Sequence, residues 1–367
     1  MILHLLTDEK FTDYAIAQFS APEMESEFVL IPSNNMMEQV KLIDRCTVIR
    51  QLSPEFEALL NRLDQYTGVM FHGMFWGKWQ TPILRRVPKN VKVAWYFYGG
   101  DIYSRNGLEP IFLAPITGFL YRLHERKKNV TVDTSWEIPI DLYKRVDYCL
   151  TAEQEEYEFA KRYTNASFEY LWYTCYSLEE TVGALMDSQC NGGNVWIGNS
   201  AAEWNNHFDV FWALRKNGLL HKLKDEKVII PLSYGSPWVR KLVLKVSKLL
   251  LGKRMQALTD FMSREEYNAL MLSCSTMILG YWEPAGQGNI ITALWLGMRV
   301  YLSEKSIAYN FFKRIGAQIY SMESDLKKYQ FTPLSEEERA ENRKVLTKWF
   351  SKQHVMESVQ NVVHALQ

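Results

Sequence analysis

The stretch from residue 280 to residue 299, GYWEPAGQGNIITALWLGMR, decides the fold class predicted from this sequence. The apolar run of residues 277–279 before it predicts a strand, and a loop with Pro284 and two glycines follows. The apolar spacing of residues 290–296 then predicts a helix. A strand, a glycine loop and a helix start direct unpaired backbone N–H groups and the positive end of a helix dipole at one point, which suits a diphosphate. The alternative is a tight strand-to-helix turn without a ligand.

Composition sets the broad class of the chain. At 367 residues it exceeds one ordinary core, so we expect two domains. The formal net charge of +0, with a pI near 7.1, argues against a general nucleic-acid-binding protein. Aromatic residues make up 14% of the chain, which favours sites for flat or sugar-like ligands, contact with a membrane interface, or dense cores.

The cysteines and the N-terminus indicate the compartment. The 5 cysteines are widely spaced and never form a CxxC pair, so we expect no zinc site, no disulfide framework and a reducing cytosol. The start, MILHLLTDEK, lacks the basic region of a signal peptide and is typical of a buried strand. No window is apolar enough to predict a transmembrane helix.

The alternation of strand and helix patterns predicts an α/β chain of the doubly wound kind, with two Rossmann-like domains facing a central cleft. The first domain is predicted over residues 1–190 and the second over 194–334, joined near the polar, glycine-rich run 191–194. Residues 335–367 are predicted to be helical and long enough to cross back to the first domain.

The motifs of several enzyme classes do not occur in this sequence. Neither domain has GxGxxG after its first strand, and GxxxxGK[ST], HExxH and GxSxG do not occur. Three strand-end loops in the second domain instead suit a nucleotide diphosphate, with Glu283 towards ribose hydroxyls and Tyr234 beside the base. The predicted donor-binding residues are Gly198, Asn199, Ser200, Tyr234, Gly235, Glu283, Gly286, Gln287, Gly288 and Asn289.

The order of short signatures along the chain resembles that of GT-B glycosyltransferases. It is most similar to the bacterial family that includes the TDP-N-acetylfucosamine:lipid II N-acetylfucosaminyltransferase, glycosyltransferase family 56. The residues that carry the resemblance are Phe71-His72-Gly73, Trp95, Gly100-Asp101-Ile102-Tyr103, Gly198-Asn199-Ser200, Asn206-His207, Pro231, Tyr234, Tyr267 and Gly286-x-Gly288.

The sequence departs from the pattern at three places. Glu283-Pro284 matches the first half of an EPxG element, but the second glutamate expected near Ile291 is absent. Asn289 stands where a different small polar residue is expected. The linker and the C-terminal tail have no clear counterpart.

The resemblance implies a donor in the second domain and an acceptor in the first. It implies transfer of a deoxyamino or related sugar from a TDP- or UDP-linked donor to a polyprenyl-diphosphate-linked glycan in bacterial surface polysaccharide synthesis, without a metal or other cofactor. The acceptor-binding residues would be Gly73, Gly100 and Tyr103. Positive groups must then neutralise the leaving diphosphate, and Lys253 and Arg254 are candidates.

The candidates for the catalytic base are Asp101 and His72, which both close a predicted strand of the first domain. The alternative for His72 is a structural hydrogen bond within its turn, and for Asp101 it is a helix N-cap. His207 is predicted to contact the donor or to cap a helix, and His4 to be a satisfied histidine on a strand.

Two basic and apolar segments are candidate contacts with a membrane surface. They run from Phe112 to Lys128 and from Trp238 to Arg254, and the alternative for each is a surface helix with one buried face. We therefore expect a cytoplasmic protein at the inner face of the cell membrane. A non-catalytic nucleotide-sugar-binding protein and a GT-B-like UDP-sugar epimerase are the competing functions.

Overall fold

The computed structural model describes residues 1–32, 39–75, 77–105, 108–126 and 137–367. These residues form two compact units. The first comprises residues 1–105, 137–177 and 350–367, and the second comprises 108–126 and 178–349. The predicted first domain, residues 1–190, included residues 108–126 and 178–190, whereas the structure assigns both segments to the second unit. The final 18-residue segment, 350–367, belongs to the first unit.

The first unit is built on a parallel sheet. Its strands are β1 (Ile2–Leu6), β2 (Ser26–Leu30), β3 (Thr47–Val48), β4 (Gly68–His72), β5 (Lys92–Tyr96), β6 (Tyr148–Thr151) and β7 (Glu169–Trp172), in the order β3-β2-β1-β4-β5-β6-β7. Every residue of β1 and β4 is buried, as expected for central strands covered on both faces. The strand order reverses between β1 and β4, so the topological switch point of this sheet lies there.

The second unit repeats this plan. Its strands are β8 (Asn194–Ile197), β9 (Val228–Pro231), β10 (Met255–Leu258), β11 (Cys274–Leu279), β12 (Arg299–Leu302) and β13 (Tyr320–Ser321). They are all parallel, in the order β10-β9-β8-β11-β12-β13. The switch point lies between β8 and β11, and the loop that opens the stretch 280–299 follows β11.

Helices connect the strands in both units. Those of the first half are α1 (Thr12–Gln18), α2 (Pro54–Leu60), α3 (Gly77–Arg86), α4 (Gly100–Tyr103), α5 (Pro115–Glu125), α6 (Gln154–Thr164) and α7 (Leu178–Val182). The later ones are α8 (His207–Lys216), α9 (Pro237–Leu251), α10 (Arg264–Leu272), α11 (Gln287–Leu296), α12 (Ile307–Arg314), α13 (Leu326–Tyr329), α14 (Glu336–Phe350) and α15 (Lys352–Leu366).

Local sequence signals account for several helix starts. Ser53 accepts a bond from the backbone N–H of Phe56 at 3.2 Å, and Pro54 occupies the first position of α2. Ser263 and Glu266 form the capping box of α10. Each cap contributes about 1 kcal/mol by satisfying N–H groups that the helix leaves unpaired.

The C-terminal helix α15 packs against the first sheet. Val359, Val362 and Leu366 are buried in one hydrophobic cluster with β1 and β4 residues. A side chain on Gly68 would place its Cβ 2.7 Å from the Leu366 Cβ, so glycine is needed for this close approach. Burying three such side chains stabilises the unit by roughly 5–9 kcal/mol.

From the sequence we expect neither a disulfide framework nor a transmembrane helix. The 5 cysteines, all within the described residues, are free thiols. Among the helices of the described residues, none is both long and apolar enough to cross a bilayer.

Candidate functional site

The side chain of Asn199, which follows β8, joins the loop after β9 to the first turn of α11. Its Nδ2 donates to the Tyr234 hydroxyl at 3.1 Å, and its Oδ1 accepts from Asn289 Nδ2 at 2.6 Å. The loops after β8 and β9 and the first turn of α11 therefore meet at the carboxyl edge of the sheet, beside the switch point. In open α/β sheets this is where ligands bind.

Gly286 is the N-cap of α11 and adopts the left-handed conformation, with φ of +62°. A Cβ there would lie 3.3 Å from Asn199 Cγ and from the Tyr281 hydroxyl. Because glycine has no side chain, it cannot cap the first N–H groups of this 10-residue helix. Glu283, Gln287 and the neighbouring loop residues are half-buried, which leaves part of their surface accessible. This arrangement suits an anion at the helix N-terminus.

Three other predicted donor-binding residues shape the loops. Gly198 has φ of +74°, and a Cβ there would lie 2.4 Å from His207 Nε2. Gly235 has φ of +111° and has no space for a Cβ, which would lie 2.5 Å from a backbone carbonyl carbon. Ser200 is buried, and its hydroxyl accepts a bond from Asn205 Nδ2 at 3.0 Å. Their observed contacts are with the protein itself.

Asn206 and His207 lie at the start of α8. The Asn206 Nδ2 donates to the carbonyls of Phe112 (3.1 Å) and Gly280 (2.9 Å), while its Oδ1 accepts from the Ala114 N–H at 2.9 Å. The Asn206 side chain therefore holds in place both the start of the loop after β11 and residues 112–114, which precede α5. His207 is buried, and burial lowers the pKa of its imidazole to about 4, so it is neutral at pH 7.

The two cations predicted to neutralise a diphosphate are in the wrong place. Lys253 and Arg254 directly precede β10, so they lie at the amino edge of the sheet, opposite the three loops. Arg254 donates to the Leu223 carbonyl at 2.7 Å, which is a structural contact. The sequence pattern did not show which edge these residues would occupy.

Two other cations lie at the carboxyl edge, and neither was predicted to neutralise the diphosphate. Arg240, in the first turn of α9, donates from Nη2 to the Ser233 carbonyl at 2.8 Å. Lys305 follows β12, and its Nζ lies 4.4 Å from the centre of the Trp282 ring. A basic residue within one helical turn of a strand-end loop is the signal that identifies Arg240 from sequence.

Asp101 of the first unit is almost completely buried, with 1% of its surface exposed. Its Oδ2 accepts bonds from the Met74 N–H at 2.7 Å and from Trp95 Nε1 at 2.6 Å. Within the described residues, Oδ1 has no hydrogen-bond partner. Burial raises the pKa of this carboxyl to about 7, although both hydrogen bonds favour the charged form.

His72, the other candidate base, is also buried, at the end of β4. Its Nε2 lies 3.1 Å from His4 Nδ1, so the two imidazoles share one hydrogen bond in the core. Burial lowers the pKa of His72 to about 3, and burial and the neighbouring imidazole lower that of His4. At pH 7 both rings are neutral.

The predicted acceptor-binding residues lie beside two other side chains, Phe75 and Glu156. A Cβ on Gly73 would lie 2.2 Å from the Phe75 ring, and one on Gly100 would lie 3.3 Å from it, so both glycines make room for Phe75. Tyr103 is buried, with its hydroxyl 3.5 Å from Glu156 Oε1. Burial raises the pKa of Glu156 to about 8, and the sequence did not single out this residue as part of the site.

The first predicted membrane segment packs on the second unit. Phe112 and Leu113 are buried, and Asp209 of α8 accepts the backbone N–H groups of Ile116 and Thr117, each at 2.9 Å. Phe119 on α5 is 56% exposed. Lys127 and Lys128, which end the predicted segment, lie outside the described residues.

The second predicted membrane segment includes α9. Lys241, Lys245 and Lys248 recur at helical spacing on its exposed face, beside the exposed Leu249. Both α5 and α9 contact α8, and the rings of His124 and Trp238 stack with centroids 4.5 Å apart. The two segments therefore lie next to each other in one unit.

Comparisons with known proteins support the fold. No family model matches the chain, and no curated protein matches its sequence. A glycosyltransferase from Rickettsia africae is similar in structure, with a TM-score of 0.63 at 12% sequence identity. The match covers 100% of this chain and 98% of the Rickettsia chain. The lipopolysaccharide outer core galactosyltransferase WaaB in its apo form gives a TM-score of 0.63 at 10% identity, covering 100% and 99%.

A third solved structure, Anabaena HepE in complex with UDP-glucose, gives a TM-score of 0.60 at 12% identity, covering 100% of this chain and 99% of HepE. These proteins are GT-B glycosyltransferases. The chain has their fold, two parallel-sheet α/β units, so the predicted fold class is confirmed.

Proposed function

We propose that the protein is a metal-independent glycosyltransferase that moves a sugar from a nucleotide-diphosphate donor to an acceptor hydroxyl. The observation that carries this proposal is that Asn199, at the switch point of the second sheet, joins the loop after β9 to the first turn of α11. The GT-B fold supports it, as does HepE, a protein of similar fold whose structure holds UDP-glucose.

The donor site is assigned from the chemistry of these loops. The N-terminus of α11 binds the diphosphate, the half-exposed Tyr234 lies beside the base, and Glu283 accepts bonds from ribose hydroxyls. As the bond to the sugar breaks, negative charge grows on the diphosphate. Arg240 and Lys305, at the same edge of the sheet, stabilise that charge.

In the reaction, the acceptor oxygen bonds to the anomeric carbon while the bond from that carbon to the diphosphate oxygen breaks. The proton of the acceptor hydroxyl must move to a base. We assign this role to Asp101, because its Oδ2 is held by two donors while Oδ1 has no partner within the described residues. A pKa of about 7 lets the carboxyl take up and release a proton at neutral pH.

We further propose a polyprenyl-diphosphate-linked glycan as the acceptor, a TDP- or UDP-linked deoxyamino sugar as the donor substrate, and a role in bacterial surface polysaccharide synthesis. This rests on the resemblance to glycosyltransferase family 56. A lipid-linked acceptor requires contact with a membrane, at the inner face of the cell membrane. The α5–α9 face, with exposed Phe119 and the lysines of α9, has the composition of such a contact.

Flotation with vesicles tests the membrane proposal. We expect the protein to float with anionic phosphatidylglycerol vesicles and not with neutral phosphatidylcholine vesicles. Replacing Lys241, Lys245 and Lys248 by Gln removes about 1 kcal/mol of attraction per lysine, so binding should fall by tenfold or more. Unchanged flotation of the triple variant would show that another surface makes the contact.

A product assay tests the function itself. Purified protein is incubated with radiolabelled TDP- and UDP-sugars, with and without a lipid extract of the source cells. A transferase yields a labelled lipid and free nucleoside diphosphate only when the extract is present. An epimerase would change the sugar without the extract, and a binding protein would bind the nucleotide and form no product.

A further inference from the structure

Three aromatic rings lie across the switch point of the first sheet. Phe11 follows β1, Phe75 follows β4 and Tyr98 follows β5, so all three lie at the carboxyl edge. The rings of Phe11 and Tyr98 are 13° from parallel with centroids 5.8 Å apart, and those of Phe75 and Tyr98 are 20° from parallel at 5.7 Å. We call these three residues the aromatic row. As whole residues, all three are half-buried, although the Tyr98 hydroxyl itself is buried.

Two glycines leave the space in which the aromatic row packs. Gly73 leaves the space that Phe75 and Tyr98 occupy, since a Cβ there would lie 2.2 Å from one ring and 2.8 Å from the other. Gly100, in the same turn as the proposed base Asp101, leaves further space for Phe75. The glycines predicted to contact the acceptor therefore support rings that can contact it.

The row has an apolar side, where Phe11 and Tyr98 pack against the hydrophobic core of the first unit, and a charged side. The Lys10 Nζ lies 4.7 Å from the centre of the Phe11 ring, and Glu9 beside it is exposed. Flat rings with a polar rim complement a pyranose, which presents C–H groups on its faces and hydroxyls around its edge. An isoprenoid chain would gain nothing from the charged rim. Lys10 additionally suits a phosphate attached to the sugar.

We propose that the aromatic row is the acceptor subsite and that it binds a pyranose ring by stacking, with Lys10 towards an anionic substituent. This inference rests on the proposed function. It assigns the selection of the acceptor sugar to Phe11, Phe75 and Tyr98.

Saturation-transfer NMR on the full chain tests the subsite, with N-acetylglucosamine 1-phosphate and methyl N-acetyl-β-glucosaminide as probes. The variants Phe11→Leu and Phe75→Leu keep the bulk of the side chain and lose the aromatic face. We expect the dissociation constant of both probes to rise about fivefold or more, in line with the strength of aromatic contacts. Lys10→Gln should weaken the phosphate probe alone.

The matched control is Tyr163→Leu. Tyr163 is half-buried and stacks on Phe159 within α6, with centroids 6.2 Å apart, in the same unit but outside the row. Probe binding that is undetectable in the wild type, unchanged in both row variants or equally weakened in the control would overturn the proposal. UDP and TDP calorimetry on the same samples separates this failure from failure of the proposed function, because nucleotide binding resides in the second unit.

Discussion

Replacing Asn199 by Ala removes the link between the loops after β8 and β9 and the first turn of α11. The variant loses the bonds to the Tyr234 hydroxyl and the Asn289 amide, while the backbone bond from residue 199 to Asn205 Oδ1 remains possible. Each side-chain bond is worth about 0.5–1.5 kcal/mol, and partial exposure places both towards the lower end. A loss of about 1–2 kcal/mol in preorganisation corresponds to a 5- to 30-fold weaker dissociation constant for the nucleotide.

Titration calorimetry with UDP and TDP measures this change. Asn194→Ala is the matched control, because Asn194 lies at the opposite end of β8 and also makes two side-chain bonds, to Ser273 at 2.9 Å and from the Lys227 N–H at 2.7 Å. It should lower the melting temperature without changing nucleotide affinity. Asn199→Ala binding within twofold of wild type, or an equal loss in the control, would refute the proposed role of the loops.

Three further predictions concern charge and protonation. Arg240→Gln should lower kcat/KM by 10- to 100-fold, as loss of a cation at the leaving group does, whereas Lys253→Gln at the opposite edge should leave it unchanged. The kcat of the wild type should rise as the pH increases through about 7, because Asp101 then loses its proton. Asp101→Asn should lower kcat by at least 100-fold and abolish this rise, while the affinity for the nucleotide stays unchanged. The free energy of unfolding should decrease as the pH falls below 6.5, the ordinary pKa of histidine. In that range His72 takes up a proton in the unfolded chain but not in the folded protein, where its pKa is about 3. The loss is about 2 kcal/mol at pH 5, and denaturant unfolding of His72→Gln should show a shallower pH dependence.

The elements of the second unit with strong local patterns could be predicted from sequence. Helix α8 (His207–Lys216) and strand β10 (Met255–Leu258) lie where the local pattern of apolar residues indicates them. Strand β13 is an element without such a pattern. The two residues of β13 pair with residues of β12 that lie 19 positions earlier in the chain. A strand of two residues is too short to show a periodic pattern in the sequence.

The position of α5 was not predictable from local pattern. The bonds that place it in the second unit join Asp209 to Ile116 and Thr117, 93 and 92 residues apart in sequence. The apolar and basic composition of the segment was equally compatible with an anchor on either unit. The pairing of one carboxylate with two helix N–H groups decided the outcome.

The two sites were predictable to different degrees. The donor loops carry glycines at strand ends, a local pattern, and the structure joins them through Asn199 and Asn289. The aromatic row was missed because Phe11, Phe75 and Tyr98 are far apart in sequence and meet only through the strand order. Aromatic content alone does not separate such a row from core residues.

Amide hydrogen exchange with and without UDP or TDP tests the central claim most directly, because it locates the bound nucleotide. We predict slower exchange in residues 198–200, 233–236 and 280–289 of the second unit when nucleotide is present, and no change at the amino edge around residues 253–255. Protection confined to other regions, or no protection at nucleotide concentrations that saturate binding, would contradict the assignment of the donor site.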